Sequence, residues 1–90
     1  MQCRIYSIQG RVQGVGFRWS TLQKARELKI SGTVKNLSNG EVELFACGDT
    51  WQLEQLENWL NNGGPKFSKI VNISAENVSI EVLPIGFEII

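Results

Sequence analysis

Apolar residues alternate at Tyr6 and Ile8, with Ile5 on the other side, and this two-residue period predicts a strand over residues 3–9. The period then changes. Phe17, Thr21, Ala25 and Leu28 recur at three- to four-residue spacing, with Gln23, Lys24, Arg26 and Glu27 largely opposite, which predicts a helix over residues 17–29. Ser31-Gly32 breaks it. A second strand starts at Thr33-Val34-Lys35-Asn36, a third fills residues 41–47, and Asn39-Gly40 between them signals a hairpin. A two-residue loop would set Val34 opposite Phe45, off the Val42, Leu44, Ala46 line. A three-residue loop, Ser38-Asn39-Gly40 with Gly40 left-handed, sets Val34 opposite Leu44 and keeps the apolar face continuous, so it is the one expected.

Asp49 is placed to cap a second helix, with Gln52 completing a capping box, Leu53, Leu56 and Leu60 on its buried side, and Gly63-Gly64-Pro65 ending it. A strand through Ile70, Ile73 and Ala75 follows. Phe87-Glu88-Ile89-Ile90 reads as a short final strand, although Val78, Ile80 and Val82 also alternate and could lengthen the fourth. Trp19, Trp51 and Trp59 lie at helix edges and read as partial core cover. The order β-α-β-β-α-β plus a short extra C-terminal strand is the split β-α-β plan of a ferredoxin-like α+β sandwich. The expectation is therefore one domain over residues 1–90, with an antiparallel sheet carrying two helices on one face.

The plan makes the first two strands parallel, with the third between them, joined by a right-handed crossover through the first helix. Gly10 and Asn36 then reach the same edge of the sheet. Asn36 shares the helix-covered face with Val34, two residues away, so its amide looks toward residues 10–18. There, in Gly10-Arg11-Val12-Gln13-Gly14-Val15-Gly16-Phe17-Arg18, three glycines bare the main chain just before a helix. Such a turn aims backbone N–H groups at an anion, and Arg18 adds a planar, permanent charge. No Lys-Ser/Thr follows the glycines, and Gly14-Val15-Gly16 lacks the third glycine of a dinucleotide turn, so neither common nucleotide loop fits.

Composition narrows the chemistry. The 90-residue chain is 42% hydrophobic and 20% charged, an ordinary globular balance. Lys and Arg total 9 against 9 Asp and Glu, which argues against a nucleic-acid partner. An RNA-binding sheet would also need more than Ile5 and Phe45 on its open face. Neither a leader nor a membrane-spanning run is recognised, so a cytoplasmic location without a membrane partner is expected. Histidine is absent, which removes Ser-His and Cys-His nucleophiles and most zinc sites. No metal or cofactor is called for. Arg11 reads as a solvated charge, and Glu41 and Glu43 make no acid pair.

The segment over residues 10–18 closely resembles the signature of the acylphosphatases, small enzymes that hydrolyse carboxyl-phosphate anhydrides. Gly32-Thr33-Val34-Lys35-Asn36, Gly40 and Val42 resemble that family's second motif. Thr33 departs from it, standing where an aromatic is usual. Lys66-Phe67 also replaces the family's more common small residues. The resemblance implies Arg18 as the phosphate-binding arginine and Asn36 as the residue that orients the attacking water. The backbone of Gln13, Gly14, Val15, Gly16 and Phe17 would hold the phosphate oxygens, while the side chain of Gln13 reads as a brace for the loop. The implied ligands are a small acyl phosphate and inorganic phosphate or a similar anion, taken by a monomer. A catalytically weak anion-binding or protein-interaction module of the same fold is the alternative.

Cys3 and Cys47 are a further candidate pair. If Tyr6 faces Leu44 and Ile8 faces Val42, Cys3 falls opposite Cys47, both on the open face with Ile5 and Phe45. A reducing cytoplasm keeps such thiols free, whereas air exposure allows a bridge.

Overall fold

The computed structural model describes residues Met1–Ile90. Its elements are β1 (Gln2–Arg11), α1 (Phe17–Glu27), β2 (Ser31–Asn36), β3 (Val42–Gly48), α2 (Thr50–Asn61), β4 (Lys69–Val78) and β5 (Phe87–Ile89). The strands form one sheet in the order β4-β1-β3-β2-β5. The sheet is mixed, which corrects the antiparallel expectation. β1 pairs antiparallel with β3 and β4, and β3 with β2, but β5 lies parallel to β2. No helix is long and apolar enough to cross a membrane.

The registers follow the apolar faces. Tyr6 sits opposite Leu44 and Ile8 opposite Val42, while Val34 sits opposite Leu44 and Asn36 opposite Val42. The three-residue hairpin is present: the Leu37 N–H donates to the Glu41 carbonyl at 2.8 Å, and Gly40 has φ 94°. Core-facing side chains thus line up in rows across the sheet, packed with Phe17, Leu22 and Ala25 of α1 and Leu53, Leu56 and Leu60 of α2. Removing this surface from water is the main favourable term in folding. Gly32 lets β2 lie close to β3, since a Cβ built on it would stand 1.8 Å from the Phe45 carbonyl oxygen.

Helix ends follow local chemistry. The capping box of α2 forms, with the Asp49 N–H donating to Gln52 Oε1 at 2.7 Å. α1 stops two residues before the expected end. The Ile30 N–H reaches back to the Ala25 carbonyl at 2.8 Å and the Lys29 N–H to Arg26 at 3.1 Å, while Lys29 itself adopts φ 60°. That is a Schellman stop, with lysine where glycine is commonest and buried Ile30 as its apolar contact. α2 is latched to β1 by polar groups: Arg4 and the Tyr6 hydroxyl both donate to Glu57 Oε2, the latter at 2.7 Å. Burial, then the hydrogen bond and charge of Glu57, push the Tyr6 hydroxyl well above its ordinary pKa.

β4 ends at Val78, opposite Cys3, and β5 begins at Phe87, opposite Gly32. Residues 79–86 therefore pass from one edge of the sheet to the other at the end where Cys3 and Cys47 lie. Four strand spacings amount to about 19 Å, and the nine steps from Val78 to Phe87 reach about 30 Å at full extension, so this strap crosses with length to spare and bends at Glu81 and Val82. Val78 closes β4, whereas Ile80 and Val82 lie in the strap and do not continue the strand. Ile80 and Leu83 share a hollow with Cys3 and Val78. Cys3 and Cys47 face each other in register, with Cα atoms 4.1 Å apart and sulfurs joined. Both are buried, although their face was expected to be open. Trp59 packs on the core, but Trp19 and Trp51 stand mostly in solvent, contrary to the expectation of core cover.

Gly32→Ala is expected to cost at least about 3 kcal/mol, because backbone would have to move to relieve the overlap. Lys29→Gly is expected to raise stability by about 1 kcal/mol by releasing a side chain from left-handed backbone. Denaturant midpoints of the two variants should move in opposite directions.

Candidate active site

β1, β2 and β5 all run toward the same edge of the sheet, and the functional side chains gather there. β1 ends at Arg11, and residues 12–16 turn into α1 through Gly14 at φ 73° and Gly16 at φ 77°. Neither glycine has a neighbour within 4 Å of a built Cβ, so backbone shape and not crowding requires glycine there. Gly16 caps α1 without a side chain, and the first turn holds no acidic residue. Ser20 is bonded back to the Gly16 carbonyl at 3.0 Å. The amides ahead of it lack helical partners and point outward at the positive end of the helix dipole.

Gly14, Gly16, Phe17 and Arg18 border a cavity of about 220 Å³, and Asn36 lines it from β2. The juxtaposition of Arg18 and Asn36 expected from strand direction is therefore present. Arg18 is exposed and takes no part in the ion pairs, which are Arg4–Glu57, Lys24–Glu27 and Lys35–Glu43. No carboxylate borders the cavity, so the guanidinium has no competing partner there. The Oδ1 atom of Asn36 is buried and accepts no hydrogen bond. Its register explains this. Ile73, Ile8, Val42 and Asn36 form one row across the sheet, so the amide occupies a place where the core face would take an apolar side chain. A buried acceptor without a donor costs free energy, which a water or substrate hydroxyl in the cavity would recover.

Gln13 does a different job from its neighbours. Its Nε2 donates to the Leu37 carbonyl at 2.8 Å and the Glu41 carbonyl at 2.9 Å, bracing the loop against the β2–β3 hairpin just beyond Asn36. Neither Gln13 nor Val15 borders the cavity, whereas Val12, Trp19 and Ile89 do. The sequence reading missed Trp19 and Ile89. Ile89 could have been found from its alternation with Phe87, had the parallel pairing of β5 been known. Trp19 follows Arg18 directly and gives no periodic signal. A hollow of about 320 Å³ beside Arg26 and Lys29 is larger, but Glu88 borders it and Arg26 already donates to the Phe87 carbonyl.

Known proteins resemble this chain over nearly its whole length. A family model described as acylphosphatase matches residues 4–89. An acylphosphatase from Bacillus subtilis is similar at 37% identity and TM-score 0.90, covering 100% of this chain and 99% of its own. One from Coxiella burnetii is 40% identical at TM-score 0.89, over 98% of this chain and 90% of its own. HypF from T. kodakarensis aligns over 99% of this chain but only 12% of its own, at 27% identity and TM-score 0.87.

Gln13→Ala removes the donor from two carbonyls and should lower stability by about 1–3 kcal/mol. It should also weaken inhibition by inorganic phosphate, although the side chain does not border the cavity. Unchanged unfolding and unchanged inhibition would show that the brace is idle.

Proposed function

This chain belongs to the acylphosphatase family, and on that premise we propose that Arg18 and Asn36 carry the chemistry. The activity is hydrolysis of the carboxyl-phosphate anhydride of an acyl phosphate to a carboxylate and inorganic phosphate. The observation behind the assignment is the meeting of a backbone cradle, an unpaired guanidinium and a buried amide acceptor around one cavity. The phosphoryl group sits on the main chain of residues 13–17, with Arg18 against its oxygens. Asn36 accepts a hydrogen bond from the attacking water and holds it in line. The water oxygen bonds to phosphorus as the bond to the carboxylate oxygen breaks, and one proton of the water passes to a phosphoryl oxygen, leaving a carboxylate and inorganic phosphate. A carboxylate leaves readily, so the protein contributes position and electrostatics and needs no strong general acid.

The remaining features fit the same reading. The layout is a ferredoxin-like sandwich with both helices on one face, supported by a single core that contains residues of both. One domain spans residues 1–90. We place the protein as a monomer, with phosphate-like anions bound in this cavity. In a reducing cytoplasm, where we place the enzyme, Cys3 and Cys47 are thiols, and the bridge belongs to oxidised protein. Arg18 supplies the positive charge that a metal ion would otherwise bring, and catalysis is metal-independent.

Arg18→Ala should lower the rate of acyl phosphate hydrolysis by roughly 10²–10³-fold, the scale of losing one preorganised charge-stabilising group. A folded Arg18→Ala protein with full activity would overturn the assignment. Asn36→Ala should lower kcat strongly while inorganic phosphate still inhibits, and its stability should not fall, because a buried unpaired acceptor is removed. Poor phosphate binding in that variant would instead give Asn36 a binding role. Dialysis against a strong chelator should leave the rate unchanged; a loss restored by magnesium would argue for a metal.

A further inference from the structure

The cavity has walls of two kinds. Backbone amides, Arg18 and Asn36 make one of them, and Trp19 with Ile89 adds an apolar flank. The substrate is divided in the same way, into a charged phosphoryl group and an acyl group. Trp19 is 58% exposed and Ile89 37% exposed. An indole so exposed adds little to the core, yet its position in the first turn of α1 sets it beside the guanidinium that takes the phosphate. Ile89 is held there by the parallel pairing of β5 with Val34 and by the Ile90 N–H donating to the Val34 carbonyl at 3.0 Å. Both flanking residues therefore ride on regular elements whose backbone is fixed.

We propose that Trp19, backed by Ile89, is the specificity-determining surface of this chain, the one that separates aromatic or bulky apolar acyl groups from small ones. The inference rests on the phosphate-cradle reading above. With the phosphoryl group against the amides, the acyl chain leaves the cradle across this flank. A flat apolar group covers the indole there and takes its surface out of water, whereas an acetyl group is too small to do so.

The test measures kcat/KM for benzoyl phosphate and acetyl phosphate with the unaltered chain, Trp19→Ala, Trp19→Phe and Ile89→Ala. Trp19→Ala should lower the benzoyl-to-acetyl ratio about tenfold, the scale of one aromatic contact. Trp19→Phe should keep most of the ratio, and Ile89→Ala should lower it less than Trp19→Ala. Inhibition by inorganic phosphate should move less than about twofold in Trp19→Ala, since the cradle is untouched. An equal fall with both substrates, or an unchanged ratio, would overturn the proposal. If inorganic phosphate fails to inhibit the unaltered chain, the cradle reading itself falls.

Discussion

The period of two in a β-strand is the constraint on which this molecule depends. Once Tyr6 lies across from Leu44, and Leu44 across from Val34, every other side chain on three strands has its face assigned. Slipping one residue would send Tyr6, Ile8 and their partners into water. The same slip would turn Asn36 away from the loop that follows β1. Core stability and site geometry are therefore enforced by one register, and the Ser38-Asn39-Gly40 hairpin sets the β2–β3 half of it. Asn36 stands at the end of an otherwise apolar row, so the catalytic role proposed for it and a small loss of core quality come from the same position.

The rest of the site depends on main chain. In the proposed reading, residues 12–16 recognise an anion by shape and amide direction, a backbone course that only glycine at Gly14 and Gly16 allows without strain. Such a loop needs outside support, because it contributes little buried surface of its own. Gln13 gives that support by bonding to the two carbonyls that flank the hairpin. Loop and hairpin are thereby tied across the end of β3, and the distance between cradle and Asn36 depends on a single amide.

Features governed by local chemistry were legible in the sequence. The capping box at Asp49 and Gln52, the Gly40 hairpin, and the β1–β3 register through Tyr6, Ile8 and the two cysteines can each be argued from neighbouring residues or from alternation. The meeting of Gly10 and Asn36 at one edge needed only strand direction. What escaped depends on distant partners. Three residues, Phe87 to Ile89, carry too little pattern to say whether they run with or against β2. Without that direction the strap across the sheet end is invisible, and so is the cover it gives Cys3. Lys29 hid the true end of α1, because a lysine rarely takes left-handed backbone. Trp19 looked like core cover because helix spacing reports a face without saying what lies against it.

The strap also governs the order in which the molecule can assemble. β1 with β4, and β2 with β5, join segments more than 50 residues apart in the chain, and such closures come late because loop entropy must be overcome first. The β2–β3 hairpin and α1 need no such closure. The cradle and Asn36 can come together once β1, β3 and β2 have paired, whereas Ile89 arrives only after the strap has crossed the sheet. An intermediate lacking β5 would hold the phosphate end of the site but lack part of its apolar flank. Anion binding and acyl-group discrimination would then return at different times as the chain refolds.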